Sequence, residues 1–195
     1  MKFQGKASAS MKSWSGQKTC STCGNARRIG RDDSMIDTRS EIERRLSVLR
    51  GLELSGLNHA ADMLTLSFGP LRQVTNFKGT VKYVGAWALH IQCVWRLEKV
   101  GCVVATEDDL RGPDEKAHAS THRLQGVLLA NGLAAVEAVT ADEAGGVKLS
   151  LSRGFCLTVI PDGRVDEEDW RFFAPGVDAA HLVIKGGTVA PESFD

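Results

Sequence analysis

The sequence has no long hydrophobic run. None of its apolar stretches approaches the roughly 20 residues that a helix needs to cross a bilayer. Its first residues also lack the apolar stretch of about 7–15 residues that marks a secretory signal. The five cysteines are odd in number and widely spread, which is typical of a reducing compartment rather than of a disulfide framework. We therefore expect a cytoplasmic protein without a membrane partner.

Motifs that hold nucleotides or build a nucleophilic active site are missing. The chain has no Gly-x-Ser-x-Gly elbow and no Gly-x-x-x-x-Gly-Lys-Ser/Thr phosphate loop, and its glycines do not follow the dinucleotide-binding spacing. Its aromatic residues do not alternate with basic ones, as they would on an RNA-stacking sheet. The sequence therefore predicts no cofactor and no nucleic-acid partner, and it favours a non-enzymatic protein.

Acidic residues are absent from the first 31 positions, which hold seven lysines and arginines. This segment is also rich in serine and glycine, and such a composition cannot bury enough surface to offset the entropy of ordering. We expect a disordered basic leader over residues 1–34, a single domain over 35–186 and a flexible tail over 187–195.

The charge balance reverses after residue 50, where 13 basic residues accompany 19 acidic ones. A folded nucleic-acid binder usually has a strongly basic face, so this excess of acid disfavours that class. An acidic body suits a protein partner with a basic surface.

Two pairs of residues have spacings found in metal sites, but neither pair completes a ligand set. Cys20 and Cys23 form a CxxC in the leader, whereas a structural zinc ion needs four ligands. His118 and His122 would share one helix face, but no glutamate follows His118 as in the metalloprotease motif. The sequence predicts no metal, and a metal-binding module through either pair stays as a third hypothesis.

Hydrophobic periodicity predicts the order of helices and strands. A helix begins near Asp37, carries Ile42, Leu46 and Leu49 at helical spacing, and stops at Gly51. A second helix is predicted over residues 114–130, and period-two alternation predicts strands at 64–68, 85–98, 102–106, 135–140, 149–159, 170–173 and 181–184. This order lacks regular βαβ alternation. It predicts an α+β fold with a mainly antiparallel, curved or sandwich-like sheet and one or two packed helices.

The clearest predicted strand runs from Gly85 to Glu98 and has two different faces. Its odd positions are all apolar: Trp87, Leu89, Ile91, Cys93, Trp95 and Leu97. Its even positions mix apolar residues with polar ones, as expected for a sheet with one covered side. The run is long for a strand, so we expect a bulge or bend within it.

The polar face of this strand is the predicted binding site. His90, Gln92 and Arg96 supply groups for acid–base chemistry or for holding a ligand. Asp108 and Asp109 belong to a carboxylate cluster after the next strand, where oxygen atoms could face a cation. If these five residues share a concavity, they form a ligand site, and if they do not, the face is an ordinary solvated one.

The segment from Gly85 to Arg96 resembles a group of uncharacterised small bacterial proteins that share a Trp-Ala-Leu-His-x-Gln-Cys-x-Trp-Arg strand. The likeness extends over about residues 50–186, through Glu107-Asp-Asp-Leu110, Trp170 to Pro175 and His181 to Val183. The resemblance implies a shared fold and no established activity.

Three hypotheses for the function remain open. The first is a non-enzymatic protein-binding domain, immunity-like or accessory by analogy of fold. The second is a small-ligand binder or a hydrolase-type enzyme that uses the polar face around His90. The third is the metal-binding module.

Overall fold

Two α-helices and a set of short strands make up the described part of the chain. The computed structural model describes residues 36–75, 79–129 and 132–194. The helices are α1 (Thr38–Leu46) and α2 (Asp114–Leu129). The strands are β1 (Leu54–Ala60), β2 (Met63–Phe68), β3 (Arg72–Thr75), β4 (Val81–Val84), β5 (Trp87–Ile91), β6 (Val94–Lys99), β7 (Cys102–Thr106), β8 (Val136–Ala141), β9 (Val147–Leu151), β10 (Phe155–Ile160), β11 (Glu168–Phe173), β12 (Leu182–Lys185) and β13 (Thr188–Val189).

The strands form three antiparallel sheets. A six-stranded sheet has the order β1-β2-β5-β11-β12-β13, and a five-stranded sheet has the order β7-β6-β10-β9-β8. Strands β3 and β4 form a separate hairpin, inserted between β2 and β5 along the chain. The predicted α+β class with mainly antiparallel sheets and packed helices is confirmed.

One hydrophobic core joins the two large sheets. Phe68 and Trp170 of the six-stranded sheet belong to the same buried cluster as Trp95 and Leu157 of the five-stranded sheet. Both helices contribute to this cluster, α1 through residues such as Leu46 and α2 through residues that include Leu124 and Leu128. The side chains on the inner faces of the sheets therefore pack in the core. A functional site is to be sought on the outer faces and in the loops.

Helix α1 begins where the sequence predicts it. Asp37 is the N-cap, and its Oδ1 accepts the backbone N–H of Ser40 at 3.1 Å. Such a cap satisfies one of the N–H groups that a helix leaves unpaired at its start. The apolar stripe continues through a 3₁₀ turn to the buried Leu49, and Gly51 follows with φ of 81°. Neither helix is long and apolar enough to cross a membrane.

The predicted strand from Gly85 to Glu98 is two strands in two different sheets. Strand β5 ends at Ile91, and β6 begins at Val94 in the other sheet. The backbone N–H groups of Gln92 and Cys93 both donate to the carbonyl of Asp169, at 2.8 and 3.1 Å, and hold the bend. The expected bend is therefore present, and it moves the chain from one sheet to the other.

The predicted strand from Leu149 to Val159 is also two strands, β9 and β10, which pair with each other. The reversal occurs at Arg153 and Gly154, which have φ of 66° and 76°. Because Arg153 adopts a left-handed conformation that is uncommon for a side-chain-bearing residue, a turn at this position is hard to predict from the sequence.

The domain extends beyond residue 186, where the sequence predicts a flexible tail. Residues Thr188–Val189 form β13, and Pro191–Phe194 form a 3₁₀ turn in which Ser193 is fully buried. The Ser193 hydroxyl accepts the backbone N–H of Val183 at 2.9 Å, so a polar contact as well as apolar burial fixes the segment. The predicted leader lies outside the described residues.

Candidate functional site

Polar side chains gather on the outer face of the six-stranded sheet, around the end of β5. His90 is flanked by Leu89 and Ile91, which are buried in the core, so its ring points to the opposite face. His90 lies opposite Thr65 of β2 on one side and Arg171 of β11 on the other. Thr65, His90 and Arg171 thus form a row across three neighbouring strands, with β5 in the middle.

Glu168 is the hub of the hydrogen bonds in this region. Its Oε1 accepts the Gln92 side-chain amide at 3.1 Å and Arg171 Nε at 2.7 Å, and its Oε2 accepts Arg171 Nη2. The hydrogen bonds to Glu168 raise the pKa of the Arg171 guanidinium. The carboxylate of Glu168 is thus held in one orientation by two side chains, Gln92 from the bend after β5 and Arg171 from β11.

Aromatic contacts centre on Phe173, two residues after Arg171 on β11. The Phe173 ring lies between two histidines: edge-on to His90 at 4.9 Å between ring centroids, and stacked on His181 at 4.4 Å. Burial lowers the pKa of both histidines, and the positive charge of Arg171 lowers each further. Both rings are therefore neutral at neutral pH.

A cleft of about 300 Å³ opens beside this row. We call it the acidic cleft, and its lining residues are Gln92, Cys93, Asp162, Glu167, Glu168 and Asp169. It lies where the loop before β11 passes the bend between β5 and β6. Arg164 partly neutralises it, pairing with Asp162 at 3.2 Å and with Glu167 at 2.8 Å.

Asp169 forms the buried base of the acidic cleft. The register of β11 against β12 shifts between Glu168 and Trp170, and this bulge lets Asp169 turn inward. Its carboxylate accepts the backbone N–H of Asp162 at 3.1 Å and of Gly187 at 2.9 Å. Among the described residues no lysine or arginine pairs with Asp169, so backbone dipoles alone balance its charge.

Cys93 also lies at this cleft, but its thiol is not activated. Burial and, to a smaller extent, the neighbouring Asp169 raise the pKa of Cys93 to about 12. A nucleophilic cysteine needs the thiolate, which a positive environment favours. Cys93 instead lies near the negative charge of Asp169, which disfavours the thiolate.

The remaining predicted site residues lie elsewhere. Arg96 is on β6 of the five-stranded sheet, where it is exposed and reaches Glu98 at 3.3 Å. Asp109 accepts the backbone N–H of Thr106 at 3.0 Å and pairs with Arg123 at 3.2 Å, so it fixes the end of β7 and the flank of α2. Asp108 is exposed and pairs with Arg111.

Of the five predicted residues, the structure therefore brings together His90 and Gln92. Sequence reasoning missed Glu168, Arg171, Phe173 and His181 as their neighbours. The acidic run before Trp170 was the one visible signal, and it gives no hint of which strand lies beside it.

Metal-binding geometry does not occur in the part of the chain that the structure describes: no group of three or more His, Cys, Asp or Glu side chains converges there. His118 and His122 are exposed on α2. Cys20 and Cys23 lie outside the described residues.

Comparison with known proteins gives one partial similarity. A curated relative, "Putative glutamate–cysteine ligase 2" of Micrococcus luteus, is 28% identical over 108 residues, which are 54% of this chain and 27% of the relative. The chain thus spans about a quarter of the length of the curated relative that it matches. No family model and no solved structure matches the chain.

Proposed function

We propose that this chain is a non-enzymatic protein-binding domain, immunity-like or accessory, that takes a basic segment of its partner at the acidic cleft. The observation that carries the proposal is the charge of the cleft. Four carboxylates, from Asp162, Glu167, Glu168 and Asp169, line it or form its base, and two guanidinium groups, Arg164 and Arg171, pair with three of them.

The rim of the cleft is open to a partner. Glu167 is 62% exposed and Arg164 is 65% exposed, so their ion pair is solvent-screened and contributes little by itself. A lysine or arginine of a partner can take the place of Arg164 beside Asp162 and Glu167 at small cost. Glu168 is fixed by Gln92 and Arg171, so it offers a preorganised acceptor edge.

The side chains of the site support binding rather than catalysis. Glu168 already accepts three N–H donors, which disfavours its acting as a general base. Cys93 stays a protonated thiol because its pKa is about 12. A hydrolase that uses His90 has weaker support, because Phe173 and Arg171 surround that ring and Arg96 lies on the other sheet.

The proposed setting is the cytoplasm of a bacterium. The three described cysteines, Cys93, Cys102 and Cys156, are free thiols, which fits a reducing compartment. The excess of acid after residue 50 supports a basic protein partner and disfavours a polyanion such as nucleic acid. Ligase activity is not proposed, because the shared segment is about a quarter of the relative that carries that name.

Affinity capture of the full chain from its native host tests the proposal. We expect one stoichiometric partner with a basic segment. Its affinity falls at least about tenfold with Glu167→Lys, because the substitution reverses a rim charge. Glu137→Lys is the matched control, since Glu137 is an exposed glutamate on β8 and the change in net charge is the same. Recovery of no stoichiometric protein, or equal loss with both variants, would refute the proposal.

A further inference from the structure

On one face of the β3–β4 hairpin every side chain is exposed to solvent. Gln73 lies opposite Tyr83, and Thr75 lies opposite Val81, so these four side chains share one side of the hairpin. Leu71 precedes Gln73 by two residues and falls on the same side. All five are exposed; among the apolar ones, Tyr83 is 68%, Leu71 56% and Val81 48% exposed.

The opposite face of the hairpin is anchored to the domain. Arg72 donates from Nη2 to the carbonyl of Pro175, and Val74 lies against Gly176. Gly85, at the base of the hairpin, sits so close to β2 that an added Cβ would come within 2.8 Å of the Phe68 backbone. The hairpin is therefore held in place by its opposite face, and its apolar face does not pack on the core of the domain.

Strand β4 also has an unpaired backbone edge among the described residues, because the hairpin sheet contains β3 and β4 alone. Three of the four β4 residues, from Val81 to Tyr83, are exposed, whereas β3 alternates between exposed and half-buried residues. An exposed edge with an apolar face is a template for a strand from another chain.

The charged residues on the hairpin strands are of one sign. No acidic residue occurs between Asp62 and Glu98, and Arg72 and Lys82 both lie on the hairpin strands. In a second copy paired at β4 with residue 82 opposite residue 82, the two lysines would repel each other, because like charges across a strand pair are destabilising. A partner strand with aspartate or glutamate opposite Lys82 avoids this repulsion.

We infer that β4 is a docking edge for an extended segment of a partner protein in which apolar residues alternate with aspartate or glutamate. The apolar residues would pack on Val81 and Tyr83, and the acidic ones would face Lys82. This surface is separate from the acidic cleft and takes a partner segment of the opposite charge.

Selection of random peptides displayed on phage against the full chain tests this inference. We expect enrichment of peptides in which apolar and acidic residues alternate. Amide hydrogen exchange in their presence should slow at residues 81–84. Val81→Ser and Lys82→Glu should each weaken the selected peptides at least about tenfold, as for residues at the centre of an interface.

Matched controls separate docking from general effects. Val103→Ser on the edge strand β7 is the control for Val81→Ser, since both valines are exposed on strands. Lys148→Glu on β9 is the control for Lys82→Glu, since both lysines are exposed on strands. The inference is overturned if no peptides or only basic ones are enriched, if the hairpin variants bind as well as the controls, or if the hairpin mediates self-association instead.

Discussion

The side-chain amide of Gln92 donates a hydrogen bond to Glu168 Oε1 across 3.1 Å. Gln92 follows the last residue of β5, and Glu168 is the first residue of β11, so this contact joins two strands at the point where the chain leaves the six-stranded sheet. Arg171 holds the same carboxylate through two further hydrogen bonds. Glu168 is therefore held in one orientation, which would lower the entropy cost of binding the proposed partner.

Asp169→Asn should lower the free energy of unfolding by about 2–3 kcal/mol, because hydrogen bonds to a buried charged acceptor contribute about 1.5–3 kcal/mol. Asp169 is 2% exposed and accepts two backbone N–H groups, and an amide keeps one accepting oxygen instead of two. Urea denaturation measures the change. Asp178→Asn, at an exposed loop position, is the control and should stay within about 0.5 kcal/mol of the wild type. Equal stabilities of the two variants would show that Asp169 does not hold the loop.

Two buried tryptophans should respond differently to replacement by phenylalanine. Trp170 Nε1 donates to the carbonyl of Gly145 at 2.9 Å, whereas Trp95 Nε1 has no partner among the described residues. Both rings are almost completely buried, so the loss of volume is similar. Trp170→Phe should therefore be more destabilising than Trp95→Phe by about 1–2 kcal/mol, because it leaves a buried carbonyl unsatisfied. Thermal and urea unfolding of both variants check the order, and the reverse order would contradict it.

The stability of the fold should decrease as the pH falls through the ordinary histidine pKa of 6.5. In the folded chain burial lowers the pKa of His90 and His181 below that value, so the unfolded chain binds more protons in this range. The stability that the two neutral histidines contribute is fully present above pH 6.5. It is lost as the pH falls towards their lower pKa values in the folded chain. Melting curves at about pH 7.5 and about pH 5.5 measure the loss.

His90→Gln should reduce the difference in melting temperature between those two pH values. His122→Gln, which changes an exposed histidine on α2, is the control and should leave the difference unchanged. An unchanged difference in the His90 variant would rule out His90 as a source of the pH dependence.

Cys93 should resist alkylation in the folded chain. Its pKa of about 12 leaves the thiol protonated at about pH 8, and its side chain is buried, whereas Cys102 is exposed. Iodoacetamide labelling followed by peptide mass spectrometry should find Cys102 modified first and Cys93 modified only after denaturation. Equal rates at the two residues in the folded chain would contradict the proposed environment of Cys93.

Much of the fold could be predicted where one face of an element packs on the core. The alternation of Leu89, Ile91, Trp95 and Leu97 survives the bend at Cys93, because all four side chains enter the same core from two sheets. A bend was expected, but its position and the change of sheet could not be predicted, because they depend on hydrogen bonds to Asp169, far along the chain. Strand β1 was missed because a bulge between Leu54 and Gly56 brings its buried leucines to a spacing of three.

The candidate site was predicted in part. His90 and Gln92 could be identified as polar residues on the mixed face of the predicted strand. Arg171 and Glu168 could not be assigned to the same site, because the pairing of β5 with β11 joins segments about 80 residues apart. Arg96 was misplaced for a different reason: it shares the even positions of His90 and Gln92, but the bend after β5 puts it on a different sheet.

Titration of the isotope-labelled full chain with a short arginine-rich peptide, followed by amide chemical shifts, tests binding at the acidic cleft most directly. We predict saturable shifts at the side-chain amide of Gln92 and at the backbone amides of Asp162, Glu167 and Gly187. The same titration of the Glu167→Lys variant should require at least about tenfold more peptide. Shifts confined to other parts of the surface, or the same affinity in the variant, would contradict binding at this cleft.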